Sequence, residues 1–188
     1  MFLGFDLDGV IIDHTFVKIK LAKKFGFSLN EPQTHADNLY RLLGPAKYIE
    51  FKYYLYDDHQ SAVEGVIMPG AKEILETLKR INIPFAVISR RKNNHDIPIS
   101  ILSKYGLWPD VLNQLNVFFA QSREDKNTIA VSLGVSHFID DELKALDRLI
   151  DVPVKYLFDP YNAVANCPYR RFVSWKEFYD AIVGDTNE

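Results

Sequence analysis

The chain holds a single cysteine, Cys167, among 188 residues, so no intramolecular disulfide framework is open to it and a reducing compartment suits it. No apolar run approaches the roughly 18 residues of a membrane-spanning helix. No basic leader with a cleavage site accompanies the apolar start Met1-Phe2-Leu3-Gly4-Phe5, and cytoplasm is the expected compartment. Excess charge of one sign is missing too: a formal net charge of -3 and a pI near 6.0 give no general attraction to nucleic acid or to an anionic membrane. An anionic ligand needs a local pocket instead. The five histidines lack His-x-x-x-His spacing, so no zinc pair is expected and none is assigned a role. The first glycine turn lacks Gly-x-Gly-x-x-Gly and no Walker-type loop occurs, which disfavours dinucleotide and P-loop sites. Repeats and low-complexity tracts are absent.

What is present is enough apolar material, 47% of residues against 25% charged, for one well-buried core and a modest insertion. Short β-rich runs at 2–5, 84–88, 115–119, 137–139 and 154–158 alternate with helix-length patterns at 71–82, 97–105, 125–133, 142–150 and 174–183. That alternation predicts an α/β protein with a mainly parallel sheet covered by helices on both faces. Residues 13–68 break the rhythm with successive helical stretches rich in Phe and Tyr, and read as a small helical cap inserted into a core of 1–12 and 69–188. The chain returns from it at the turn Met68-Pro69-Gly70. Residues 184–188 read as a frayed tail.

Strand-terminal polar residues carry the chemistry. Asp6-Leu7-Asp8-Gly9-Val10 follows the first apolar run; alternation lets Asp6 and Asp8 converge while Leu7 turns inward, and Gly9 permits a sharp turn. One carboxylate is then placed to attack and the other to handle protons, with a divalent cation relieving their repulsion. An Asp-rich turn capping its own backbone is the alternative. Ser89 closes the 84–88 run and offers a hydroxyl to a phosphate oxygen, or caps a turn; Arg90, Arg91 and Lys92 after it flank that position or form a solvated run. Lys126 begins a helix and can hold a nucleophile and phosphoryl group together, a charge that Arg123 could also supply. Asp140-Asp141 ends another apolar run with hard oxygen ligands suited to Mg²⁺, Asp140 directly, and Asp141 through water, by orienting Lys126, or as a helix cap.

In this order, Asp6-Leu-Asp8-Gly-Val, Ser89, Lys126 and Ile139-Asp140-Asp141 resemble the four motifs of the haloacid dehalogenase-like (HAD) superfamily of phosphohydrolases. The resemblance spans nearly the whole chain. It implies a Rossmann-like core, a C1-type cap, a Mg²⁺ cofactor and an aspartyl-phosphate intermediate. Asp6 would be the nucleophile, and Asp8 the acid and then the base, a residue the dehalogenating members lack. Ser89 and Lys126 would bind the phosphoryl group, and Asp6, the Asp8 carbonyl and Asp140 would hold the ion. More narrowly, Gly134-Val-Ser-His-Phe-Ile-Asp140-Asp141, Tyr156-Leu-Phe-Asp-Pro-Tyr-Asn162 and Phe172-Val-Ser-Trp175 resemble the 5′(3′)-deoxyribonucleotidase branch. The expected partner is a small phosphorylated metabolite: a nucleotide, or alternatively a sugar phosphate or phosphoglycolate-like compound. A ligand-binding protein without turnover is the alternative from another class. Along the cap, Tyr48, Phe51 and Leu55 fit one packing stripe, while Tyr53 and Tyr54 lie off it and are the expected substrate contacts, with Arg90.

Overall fold

The computed structural model describes residues 1–184, so the expected tail beyond 184 lies outside the described residues. Six strands form one parallel sheet in the order β5-β4-β1-β6-β7-β8: β1 (Leu3–Phe5), β4 (Phe85–Ser89), β5 (Val117–Phe119), β6 (His137–Asp140), β7 (Val154–Phe158) and β8 (Arg170–Phe172). The chain thus adopts the expected α/β class, and its Rossmann-like sheet is parallel throughout. Alternate strand residues feed opposite cores. Phe5, Val87, Ile139 and Tyr156 meet α3 (Ala71–Arg80), α4 (Asp96–Lys104) and α7 (Trp175–Ile182) on one face. Ile88, Phe138 and Leu157 meet α5 (Arg123–Ser132) and α6 (Leu143–Leu146) on the other.

Two local differences from the sequence expectation have physical causes. The helix expected over 142–150 is α-helical only through Leu146, because the N–H groups of Arg148 and Leu149 bond three residues back and tighten the chain, which carries Leu149 into the second core. Strand β8 was not expected: Arg170-Arg171-Phe172 has no β-branched run and joins the sheet at an edge, pairing with β7 alone.

Residues 13–68 leave and return through a two-stranded antiparallel pair, β2 (Ile12–Asp13) with β3 (Val66–Ile67), which draws the two ends of the segment together. Between them α1 (Thr15–Lys24) and α2 (Ala36–Tyr56) bury Val17, Leu21, Leu39, Phe51 and Leu55 in a cluster of their own. Helix α2 kinks at Gly44, whose φ of 72° and ψ of 166° suit glycine, and Pro45 opens its second half where a missing N–H costs nothing.

Candidate active site

Strands β4, β1 and β6 lie side by side, so their carboxyl ends bring Ser89, Asp6 and Asp140 to one edge of the sheet. The backbone N–H of Asp6 donates to the Ile139 carbonyl at 2.9 Å, which continues the ladder through Asp6 and fixes its side chain beside β6. Beyond Asp6 the loop is anchored from the core: Trp175, its ring tilted against Phe5 at 5.0 Å, donates its indole N–H to the Val10 carbonyl at 2.8 Å. Burying a ring of this size contributes about 2 kcal/mol, and its hydrogen bond ties the loop after Asp8 to the core.

Lys126 sits in the first turns of α5, whose N-cap Ser122 accepts from the Asp125 N–H. Only 1% exposed, its Nζ donates to Asp6 Oδ1 and to Asp140 Oδ2, both at 2.6 Å. Carboxylate oxygens of Asp6, Asp140 and Asp141 all come within 4.8 Å of one another. Burial, reinforced by Asp140 and Asp8 and offset by Lys126, pushes the Asp6 carboxyl up to about 7. Burial, reinforced by Asp140, Asp6 and Glu142, raises Asp141 well above its ordinary range. Lys126 is raised: burial opposes its charge, but Asp140 and Asp6 more than compensate. Once Asp6 and Asp141 release their protons, three carboxylates against one ammonium leave a surplus of negative charge on hard oxygen donors. That donor set fits Mg²⁺.

Gly9 closes this arrangement, with φ at 89° and the Asp141 carboxylate lying where a side chain would project. Gly9→Ala is expected to destabilise the fold by about 1–3 kcal/mol and to blunt any stabilisation by added Mg²⁺, since the methyl must displace an Asp141 carboxylate oxygen. Denaturant midpoints with and without Mg²⁺ test this; equal midpoints for variant and parent would contradict it.

Asp8 is held differently. Arg91 grips it with two nitrogens, Nε to Oδ2 at 2.9 Å and one terminal nitrogen to Oδ1 at 2.8 Å, while His14 Nε2 donates to Oδ1 at 2.8 Å. The other terminal nitrogen of Arg91 donates to the Tyr56 carbonyl at 3.2 Å, and the guanidinium lies 5.0 Å over the Tyr56 ring. Burial alone would raise the Asp8 carboxyl, but Arg91 and His14 hold it well below the usual range. Burial lowers His14, consistent with a neutral imidazole whose Nδ1 is a buried acceptor without a partner among the described residues.

Asp6, Asp8, Ser89, Arg90, Lys126, Asp140, Asp141 and Tyr53 all line one cavity of about 640 Å³. Tyr54 does not: it packs 6.3 Å from Phe25 on another side of α2. Adjacent helix positions diverge by about 100°, so one of two neighbouring tyrosines faces the cavity and the other turns away. Tyr48, assigned by spacing to the packing stripe, both packs against the cap cluster and lines the cavity. Arg91, His14 and Tyr56 were missed. Arg91 is 6% exposed and is no part of a solvated run; its N–H donates to Ser89 Oγ at 3.2 Å, which folds the loop back and turns the side chain inward. His35, also given no role, donates to the Asp141 carbonyl at 3.3 Å.

No protein-family model and no curated protein matches the chain. Solved structures do. A HAD family hydrolase from Deinococcus radiodurans, with bound phosphate and sodium, superposes with a TM-score of 0.65 at 15% identity, covering 98% of this chain and 95% of that one. A predicted phosphatase from Clostridium acetobutylicum gives 0.63 at 15% identity, over 97% and 98% of the two chains. A protein of Bacillus subtilis assigned to the HAD hydrolases and bound to magnesium gives 0.62 at 15% identity, over 96% and 97%. At such identities the likeness establishes a shared fold, over essentially the full length of both chains.

Proposed function

We propose that the protein is a Mg²⁺-dependent phosphomonoester hydrolase that works through an aspartyl-phosphate on Asp6. The observation that carries this reading is the bridge of Lys126 Nζ to Asp6 and Asp140, 2.6 Å from each, with Ser89, Asp8 and Asp141 on the same cavity. The neighbours of like fold, one holding phosphate and another magnesium, support it. Asp6, Asp140 and Asp141, with the Asp8 carbonyl, would hold the ion. When bound, it would neutralise charge on the phosphoryl oxygens and on Asp6.

The protein's own groups account for the remaining chemistry. An Asp6 oxygen attacks phosphorus and the ester oxygen departs, taking a proton from Asp8. Asp8 then removes a proton from water, which attacks the phosphorus of the acyl phosphate, releases phosphate and restores Asp6. Ser89 and Lys126 hold the non-bridging oxygens. In the conformation described, Arg91 and His14 occupy both Asp8 oxygens and keep the carboxylate ionised, so Asp8 takes up the proton it donates only once Arg91 loosens its grip. A phosphoryl dianion is the natural rival for that guanidinium, because Arg91 lies two residues beyond Ser89 on the same loop.

Residues 13–68 serve as the C1-type cap over a core of 1–12 and 69–188. Tyr40, Tyr48 and Tyr53 present rings to a cavity whose volume suits a mononucleotide or smaller phosphoester, which favours the nucleotide reading. Phosphate release from a panel of nucleotides, sugar phosphates and phosphocarboxylates, with Mg²⁺ and with a chelator, tests the function. Ligand binding without turnover across the panel would replace it with a binding protein.

Mg²⁺ must compete with protons for Asp6 and Asp141, both raised in the metal-free protein. Apparent Mg²⁺ affinity is therefore expected to climb as pH rises through about 7, with proton release on binding. Calorimetric titration in buffers of different ionisation enthalpy checks this; an affinity flat between acid and neutral pH would contradict it.

A further inference from the structure

Glu142 follows the Asp140-Asp141 pair and receives two guanidiniums on one oxygen: Arg123 at 2.9 Å and Arg90 at 3.2 Å both donate to its Oε2. All three side chains line the cavity. Their places in the chain put this fork next to the phosphoryl position, since Arg90 adjoins Ser89 and Arg123 lies one helical turn before Lys126 on α5. The charges do not balance. Two full cations share one carboxylate, and Arg123 keeps a buried Nε with no partner among the described residues. An unpaired buried donor is costly and two converging guanidiniums suit a carboxylate or phosphate, so the cluster has the composition of an anion site filled by one of the protein's own groups. On the facing side Lys52 also lines the cavity, its ammonium lying over the Tyr48 ring.

We infer that Arg90 and Arg123 form a second anion subsite beside the phosphoryl position, that Glu142 occupies it in the absence of ligand, and that the substrate's leaving group carries a second anionic group that displaces Glu142. This inference rests on the phosphatase reading. It narrows the substrate to phosphomonoesters bearing a carboxylate or a further phosphate within a few atoms of the ester oxygen. Nucleotides with a second phosphate group then outrank monophosphates, and phosphocarboxylates outrank neutral-tailed esters.

Phosphonates, which lack a leaving oxygen, probe binding apart from turnover. At fixed free Mg²⁺, calorimetry on the 188-residue chain compares phosphonoacetate, ethylenebisphosphonate and ethylphosphonate. At least one doubly anionic probe is expected to bind about tenfold tighter than ethylphosphonate, and whichever arm wins identifies the second group as carboxylate or phosphate. Arg123→Gln is expected to erase the preference. Glu142→Gln is expected to tighten the preferred probe about fivefold, because the resident competitor loses its charge. A merely structural ion cluster predicts no gain. Should Arg123→Gln fail to fold, as judged by circular dichroism, Arg90→Gln takes its place. Equal binding of the three probes, or no gain in Glu142→Gln, would overturn the inference. If phosphate is still released from simple esters in those preparations, only the second subsite fails; if no ester is turned over, the phosphatase reading itself fails.

Discussion

Asp6→Asn is expected to lower phosphate release by at least about a thousandfold in kcat while leaving the fold intact. An amide is no nucleophile toward phosphorus, and it removes one anionic oxygen from the group suited to Mg²⁺. Stability should move in the opposite sense from activity. Because the Asp6 carboxyl is raised to about 7 in the folded protein, its favourable contribution is present when it is protonated, below the ordinary carboxylate value, and is lost as pH rises through about 7. Above that pH the metal-free parent carries an ionised, crowded carboxylate that the variant lacks. The variant should therefore match or exceed the parent's melting temperature without Mg²⁺ and gain less from adding it. Near-parental turnover in Asp6→Asn would remove Asp6 from the chemistry.

Asp8→Asn is expected to divide substrates by their leaving groups. For alkyl phosphates, whose alkoxide needs a proton, the loss should be about a hundredfold to ten-thousandfold. For an aryl phosphate with an acidic phenol the first step needs no acid, and a burst of phenol should precede slow release of phosphate. Mg²⁺ affinity should change little, because the backbone carbonyl is retained. Stability should fall, because Arg91 loses its buried ionic partner, by about 3 kcal/mol. The lowered Asp8 carboxyl contributes stability above the ordinary carboxylate value and loses it as pH drops toward its folded value, so parent and variant should converge in strong acid. Equal losses for alkyl and aryl substrates, with no burst, would contradict the acid role.

The residues legible in the sequence were those tied to strand ends. Asp6, Ser89 and Asp140 each close an apolar run, and parallel pairing of neighbouring strands brings such ends together whatever the loops do. Lys126 was legible because a helix beginning just after a strand starts at that same edge. Arg91 was not, since three consecutive cations look alike until the Ser89 hydroxyl accepts its N–H and bends the loop. His14 reads as an isolated histidine, and only the packing of the inserted segment carries it to Asp8. Tyr53 and Tyr54 show the limit of a packing stripe: both lie off it, yet lying off one face does not say which other face a side chain takes.

The most direct measurement is chemical trapping of the phosphoryl group. Acid quenching during turnover of a phosphomonoester with Mg²⁺, then borohydride reduction and peptide mass spectrometry, should convert Asp6 alone to homoserine, with no conversion in Asp6→Asn. Rapid phosphate release with Asp6 unmodified at every quench time, or conversion at another carboxylate, would contradict the account.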